Sequence, residues 1–463
     1  MALTLAFAEA VILFVAGCGA VLLWARPLLI DWGDVAALIA EAAALPLCCI
    51  TAFYYNDLYD LRIVRSFGHF VSRLLQAFGV AFILLSGFYT LFPETRIAEG
   101  PFVSSLLVVV VLLLPLRALA YTIMRSRPFV DRVLIVGTSP LAHRIIAEIE
   151  AQPQFRYAIV GVADDLTSQP PVERPLLGPL ARLSTVIEET RPDRIVVALS
   201  ERRGRIPLAA LLEARMRGIV VEDGVAVHEH LTKKLAIESL TPSSLIFAEE
   251  FRKSRLDLAV GRAVSLLVSM VGLVLSLPLL VLIAIAIKLD SKGPVLFAQN
   301  RIGFHGQPFR LLKFRTMHPT DTVPSEWVRD NSSRITRVGR WLRTFRLDEL
   351  PQFVNILRGD MNLVGPRPHP GTNLALFREQ IPYYAIRLAV RPGVTGWAQI
   401  RYGYANNLAE ETEKMRYDLY YIKHLSLWFD LRILFDTVKT VLFGRGSKMA
   451  DAYIVETPTE AQR

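Results

Sequence analysis

The chain has 463 residues, too many for one ordinary domain and enough for about three. Its hydrophobic content of 52% and mean hydropathy of +0.36 exclude an ordinary soluble globule, because the excess gathers in a few long runs, and they mark a membrane protein. A net charge of +9 calls for anionic partners; twelve lysines and arginines against four acids between 288 and 346, beside an apolar run, suit lipid headgroups and phosphorylated small molecules better than nucleic acid. Cys18, Cys48 and Cys49 all lie in apolar runs without metal-site or disulfide spacing, and read as packing residues in a reducing setting.

Four apolar segments come first, at 3–25, 35–55, 70–92 and 102–124. Each approaches the roughly 20 residues of a membrane-spanning helix, and no small-residue cleavage site marks the first as a removable signal. Arg62, Arg65 and Arg73 cluster at the second connection, and Arg125, Arg127 and Arg132 follow the fourth segment, so the positive-inside rule places both ends of a four-helix bundle in the cytoplasm. Arg117 is the one awkward intramembrane charge, expected to snorkel or pair.

The stretch 130–246 changes character. Apolar strands at 132–137, 158–163, 195–199 and 219–222 alternate with helical patterns at about 140–151 and 208–217, which predicts a Rossmann-like, doubly wound α/β domain. Its first turn, Gly137-Thr138-Ser139-Pro140-Leu141-Ala142, approximates a dinucleotide-binding loop but has Ser139 at the second glycine position, where a pyrophosphate needs close backbone approach. The domain is therefore expected to be structural or regulatory, with no cofactor-binding residue assigned.

An apolar run at 258–289 has Pro278, preceded by Ser276, near its middle and basic residues at both ends: Arg252, Lys253, Arg255 and Arg262 before it, Lys288 and Lys292 after it. A simple crossing would send one basic end outside. A re-entrant hairpin kinked at Ser276 and Pro278 keeps both ends cytoplasmic.

The region 250–463 reads as an α+β unit lying on one face of the membrane. Phe309 to Met317 alternates like a half-buried strand, which directs Lys313 and Arg315 to one face, although two solvated charges would look the same. The stretch 339–368 carries adjacent carboxylates, Asp348 and Glu349, behind Arg340, Arg343 and Arg346 and ahead of a short apolar helix that Pro351 can start and Gly359 can end. Asp348 as a plain helix cap is one reading. Acids held among arginines at a phosphate site, one as nucleophile and one as metal ligand, is the other. Leu427, Leu431, Leu434, Val438 and Leu442 recur at helical spacing near the end, suiting either the membrane surface or a packed terminal helix, before a polar tail.

Six ordered motifs then carry a resemblance: Gly293-Pro294-Val295-Leu296-Phe297, Lys313-Phe314-Arg315-Thr316-Met317, 347–352, 364–368, Arg391-Pro392-Gly393-Val394-Thr395-Gly396-Trp397-Ala398-Gln399, and Tyr417-Asp418-Leu419-Tyr420-Tyr421-Ile422. Over about 253–445 the chain resembles the bacterial polyprenyl-phosphate glycosyl-1-phosphate transferases. The resemblance implies a large, membrane-anchored inner-membrane enzyme with its catalytic domain on the cytoplasmic face. It would transfer a sugar 1-phosphate from a nucleotide sugar, with a UDP-hexose expected, to undecaprenyl phosphate as the first step of exopolysaccharide or glycan synthesis. Its partners would be those two substrates and the membrane, not nucleic acid, with a homo-oligomer left open.

By the same resemblance Asp348 matches the nucleophile and Glu349 the ligand of Mg2+. Lys313, Arg315, Arg343, Arg367 and Arg391 would bind substrate phosphate, and Trp397 would contact nucleotide or acceptor. Tyr417, Asp418 and Tyr420 are read as helix packing. His369 departs from the commoner pattern and reads as a surface residue. A nucleotide-sensing scaffold would want an intact dinucleotide loop and no acid pair. An NAD-dependent epimerase or dehydratase would want a Tyr-x-x-x-Lys pair in the α/β domain. The sequence has neither combination.

Overall fold

The computed structural model describes residues 9–15, 32–56, 58, 67–92, 115, 130–152, 155–165, 174–199, 205–237, 240, 251, 254–318, 334–403, 405 and 407–442. Most of the expected first and fourth membrane segments, with Cys18, Arg117 and the polar tail, lies outside these residues. The chain divides into two compact units, Met1–Leu134 with Ile149–Gly161 and Thr185–Arg194, and Ile135–Glu148 with Val162–Ser184 and Ile195–Arg463.

In the first unit, helices α1 (Trp32–Tyr55) and α2 (Phe67–Leu91) correspond to the second and third apolar segments. They meet through Ala44, Cys48, Cys49, Ala52 and Phe53 against Leu74, Ala77, Ala81 and Leu85. Small residues at the contact let the helices approach closely, which is how association is gained where lipid removes the hydrophobic drive. The Phe53 and Phe78 rings meet edge-on at 5.6 Å, while Leu75, Phe82 and Ile83 face outward. Cys48 and Cys49 are buried free thiols, as packing residues should be.

Five strands form one sheet in the order β3-β2-β1-β4-β5, from β1 (Asp131–Val136), β2 (Tyr157–Ala163), β3 (Leu176–Gly178), β4 (Arg194–Val197) and β5 (Val220–Asp223). Helices α3 (Pro140–Ala151), α4 (Leu183–Thr190) and α5 (Leu208–Met216) connect them, and α6 (Gly224–Thr232) follows. Reversal of the order beside β1 is the doubly wound arrangement. The expected strands and helices are all present. The sequence reading lacks β3, α4 and α6, of which β3 has only three residues and α4 only eight, too short for a clear period.

Helix α7 (Arg255–Asp290) has 36 residues, about 54 Å at 1.5 Å per residue. It continues through Pro278 without interruption, so the expected break is absent from the helix assignment; Ser276 Oγ donates to Leu273 O at 3.3 Å. Leu267, Val274, Leu275, Leu277 and Leu282 are exposed, whereas both ends are fastened to the same fold. Near its start Arg262 donates to Met361 O at 2.7 Å and Ile356 O at 2.6 Å. At its end Asp290 Oδ2 accepts from Val338 N at 3.1 Å.

That fold contains an antiparallel hairpin of β6 (Leu296–Ile302) and β7 (Pro308–Phe314), paired from Leu296 with Phe314 to Ile302 with Pro308. Helices α8 (Arg337–Thr344) and α9 (Gln352–Arg358) flank one turn of 3-10 helix, Leu347–Glu349. Strand β8 (Asn362–Val364) pairs in parallel with β9 (Gly393–Thr395). Helices α10 (Gly371–Gln380), α11 (Trp397–Arg401), α12 (Leu408–Lys423) and α13 (Leu427–Leu442) complete it. The motifs 364–368 and 391–399, apart in sequence, thus run side by side. A Cβ on Gly393 would stand 2.1 Å from Gly365 N, so the glycine serves close backbone passage. Helix α13 buries Ile433 and exposes Trp428, Phe435 and Val438, which makes it a packed helix with an apolar outer face.

The core of this fold reaches back before residue 246. Leu235 and Ile237 are buried with Ile356, Met361, Leu363, Trp397, Met415 and Leu419, and Trp397 Nε1 donates to Lys233 O at 3.0 Å. The α/β domain expected over 130–246 therefore contributes its last residues to its neighbour's core. Leu235→Ala should destabilise the carboxyl-terminal fold by about 2–5 kcal/mol through the cavity it leaves. Thermal melting of the purified protein reads the loss, and an unchanged midpoint would place Leu235 outside this core.

Candidate active site

The acid pair is placed by a short chain of local causes. Thr336 Oγ1 caps α8 by accepting from Gly339 N at 2.9 Å, and Gly339 has no side chain to collide with Thr316 O. After α8 the backbone turns at Arg346, which sits in the left-handed region at φ 55°, a conformation that costs a non-glycine residue about 1 kcal/mol or more. Asp348 and Glu349 follow in the 3-10 turn, at 8% and 6% exposure. Helix α9 is preceded by Pro351 with no side-chain cap, so Asp348 does not cap it. Asp348 Oδ1 is buried and accepts no hydrogen bond.

Glu349 is held differently. Its Oε1 accepts from Arg367 Nη2 at 2.8 Å and lies 3.4 Å from Arg346 Nη1. Burial alone would raise its pKa, but the charges of Arg367, Arg346 and Lys313 outweigh burial and hold it down at about 2. Burial and the charge of Glu349 push Asp348 above the usual aspartate range, against the opposing pull of Lys313, Arg346 and Arg343. Lys313, one residue before the end of β7, is lowered to about 7 by burial and by Arg367, against the attraction of Glu349 and Asp348. Two adjacent carboxylates with environments pushed apart are the pattern of two acids with two roles.

Asn355 fixes this arrangement from behind. Its Oδ1 accepts from Leu312 N at 3.0 Å and its Nδ2 donates to Arg310 O at 2.7 Å, locking α9 to the strand that carries Lys313. The oxygen donors of Asp348 and Glu349 suit a hard cation such as Mg2+, which takes one or two carboxylates and fills its remaining positions with water or phosphate oxygens. Both arginine contacts fall on Glu349 Oε1, which leaves its Oε2 for that use.

Of the expected residues, Asp348, Glu349, Lys313, Arg343 and Arg367 therefore share one electrostatic site. The others do not join it. Arg315 donates from Nη2 to Ser291 O at 2.7 Å and Ser291 Oγ at 2.9 Å, fastening the end of α7. Arg391 donates to Gly359 O at 3.3 Å and lies over the Phe304 ring. Trp397 is 1% exposed, against Phe429 and Tyr420, so it is a core residue with no face left for a nucleotide. Tyr420 packs as expected. Ser276 and Pro278 lie in the apolar helix.

Beneath Arg367 lies a buried polar cluster. His369, expected at the surface, is largely enclosed, with 10% of its side chain exposed: its Nδ1 is 2.6 Å from Tyr384 Oη and 2.7 Å from Arg387 Nη1, and its Nε2 faces Glu411 Oε1 at 3.2 Å. Burial and the Arg387 charge hold His369 neutral. Asp418, expected as packing, pairs with Arg387 at 2.9 Å, and Lys414 pairs with Glu411 at 3.3 Å. Arg387 Nη2 also donates to Arg367 O at 2.7 Å, so the cluster holds the backbone of the arginine that grips Glu349. The readable signal is in α12, where Glu411, Lys414 and Asp418 repeat at intervals of three and four on the same stripe as Met415, Leu419 and Ile422. A shallow open cleft lies above, lined by Pro366, Arg367, Pro368, His369, Tyr384 and Arg387 among others.

Comparison with known proteins fits this layout. The family described as bacterial sugar transferase matches residues 256–444, and a family described as CoA-binding domain matches 55–215. The chain is 36% identical to a UDP-N-acetylgalactosamine-undecaprenyl-phosphate N-acetylgalactosaminephosphotransferase of Aeromonas hydrophila, over 60% of this chain and 63% of that protein. It is 35% identical to an undecaprenyl-phosphate glucose phosphotransferase of Komagataeibacter xylinus, over 70% of this chain and 61% of that one. With a UDP-glucose:undecaprenyl-phosphate glucose-1-phosphate transferase of Klebsiella pneumoniae it shares 32% identity over 79% of this chain and 80% of the relative. The chain thus spans about six tenths of the length of the first two relatives.

The buried cluster yields a stability prediction. Arg387→Met leaves Asp418 and Glu411 without their shared cation, and uncovering a buried charge in this way costs about 3–5 kcal/mol. The protein should melt well below the wild type, whereas Asp418→Asn combined with Arg387→Met should recover part of the loss. Equal midpoints for the wild type and Arg387→Met would show that the pair is not structurally required.

Proposed function

Because the chain belongs to the bacterial sugar transferase family, we propose that it transfers a sugar 1-phosphate from a UDP-sugar to undecaprenyl phosphate and releases UMP, as the opening step of exopolysaccharide or glycan assembly. The observation that carries this reading is the buried Asp348–Glu349 pair within the charges of Lys313, Arg343, Arg346 and Arg367. Asp348 Oδ1, free of hydrogen bonds, attacks the phosphorus that bears the sugar; the bond to UMP breaks, and the sugar phosphate rests on the aspartate. A phosphate oxygen of the lipid then attacks the same phosphorus and returns Asp348 as a carboxylate. The surrounding cations offset charge on the equatorial phosphate oxygens. Mg2+ would be held by Glu349, through the oxygen that the arginines leave open, and would supply further neutralisation of phosphate charge. The UDP-hexose preference is supported by the relatives, whose substrates include UDP-glucose and UDP-N-acetylgalactosamine.

The membrane arrangement follows the same logic. The chain is divided into a membrane part over 1–125, the Rossmann-like domain to about 232 and the transferase domain beyond it, on the cytoplasmic side of a multi-pass inner-membrane protein. Fastening of both ends of α7 to one fold supports a re-entrant helix rather than a crossing one. In cells, Lys253→Cys and Lys292→Cys should both be shielded from an impermeant external thiol reagent. Labelling of either one alone would mean a full crossing.

Asp348→Asn should lower turnover about a thousandfold or more while leaving the melting temperature near that of the wild type. Glu349→Gln should weaken the dependence on Mg2+. Wild-type protein given UDP-sugar without lipid should release about one equivalent of UMP and carry the sugar phosphate on Asp348. Normal turnover in a folded Asp348→Asn protein, with no adduct on the wild type, would overturn the mechanism.

The pH profile of kcat/KM tests the electrostatics. Asp348 attacks only when ionised, and its raised pKa moves the acid limb above the ordinary value near ~3.9. Lys313 is charged below about 7 and neutral above it, so the basic limb should fall through that region. Lys313→Arg, which cannot deprotonate, should remove the basic limb and keep the acid one. A wild-type profile that stays flat through neutral to alkaline pH would rule out this role for Lys313.

A further inference from the structure

The match of residues 55–215 to a CoA-binding family suggests a ligand with a diphosphate, and a doubly wound sheet takes such a group at one place. The diphosphate sits at the first turn after β1, against backbone N–H groups at the start of the next helix, where the strand order reverses. Here that turn is Gly137-Thr138-Ser139, between β1 and α3. Gly137, at φ 111°, passes so close to β4 that a Cβ on it would stand 2.5 Å from Ala198 O, so the glycine serves strand packing. Ser139 Oγ accepts from Ala142 N at 3.2 Å and occupies a donor at the start of α3.

Asp164, at the end of β2, decides the matter. Its Oδ2 accepts from Thr138 N at 2.8 Å and from Thr138 Oγ1 at 2.6 Å. Its Oδ1 accepts from Asp165 N at 2.8 Å and from Arg205 Nη2 at 3.2 Å. Two backbone amides, a hydroxyl and one guanidinium nitrogen are donors a phosphate would use, and all four are turned onto one carboxylate that is 7% exposed. Asp165 adds a second negative charge beside it, 3.5 Å from Arg205 and fixed by Leu180 N at 3.0 Å. A diphosphate entering here would meet two carboxylates, with both amides and the hydroxyl already committed and only the outer N–H groups of Arg205 left to it.

We infer that Asp164 is a built-in anion that closes the switch-point crevice, and that the Rossmann-like domain of this chain does not take the diphosphate of CoA. The residues do not fit the group the family name implies. The domain acts as a packing module whose apex is sealed by its own side chain.

The test uses the full-length protein in lipid nanodiscs. Equilibrium dialysis with radiolabelled CoA should show no saturable binding at millimolar ligand, and CoA should move the wild-type melting temperature by less than about 1 °C, where a tight ligand would give several degrees. Asp164→Ala uncovers the donor set, so it should melt lower than the wild type, and inorganic phosphate should recover more of that loss than it adds to the wild type. Saturable CoA binding by the wild type would overturn the inference. So would an Asp164→Ala protein that melts like the wild type and responds no differently to phosphate. If Asp164→Ala does not accumulate, the wild-type dialysis decides the question alone, with Asp164→Asn as the milder variant for the phosphate comparison.

Discussion

Arg367 holds the acid pair to the rest of the fold by two atoms at opposite ends of the residue. Its guanidinium grips Glu349 at 2.8 Å, and its carbonyl is gripped by Arg387 at 2.7 Å. Arg387 is itself fixed by Asp418 on α12. A chain of charge-assisted contacts therefore runs from the packed helices at the carboxyl end to the carboxylates beside α8. Each link is buried or partly buried, where such contacts are stronger than in water and where losing one partner is costly. The parallel pairing of β8 with β9 sets the path of the loop that carries Arg367, and glycines at 365 and 393 let the two backbones pass.

The same economy of burial separates the two acids. Both lose water, which by itself favours the neutral form of each. Glu349 recovers its charge from Arg367 and Arg346, whereas Asp348 sits next to the charge of Glu349 and keeps an oxygen with no donor. An oxygen without a hydrogen bond is poorly stabilised and therefore a better nucleophile, which suits attack on phosphorus. The left-handed turn at Arg346 brings a cation back over the pair within three residues, and its strain is held by the packing on either side.

The two carboxylate sites of this chain use similar donors for opposite ends. At Glu349 arginines leave room beside an unpartnered aspartate oxygen; at Asp164 two backbone amides, a hydroxyl and an arginine saturate a single carboxylate. The first arrangement leaves chemistry open, and the second closes it.

The sequence by itself determined what depends on period, length and local chemistry. The apolar runs that became α1, α2 and α7, the alternating strands and helices of the sheet, and the six ordered motifs with the acid pair at their centre were all legible, because each is written in neighbouring residues. Tertiary structure alone decided which charges reach the acid pair. Lys313 and Arg315 look alike on paper, yet one lies in the field of the carboxylates and the other fastens α7, because Arg315 finds Ser291 at the helix end within reach. Trp397 and Arg391 went to packing once β9 was inserted beside β8. His369 and Asp418 left their expected roles because a buried partner 18 or more residues distant, invisible to local pattern, satisfied them. Ion pairing across a fold is set by where the backbone brings side chains together, and no spacing rule along the chain encodes that distance.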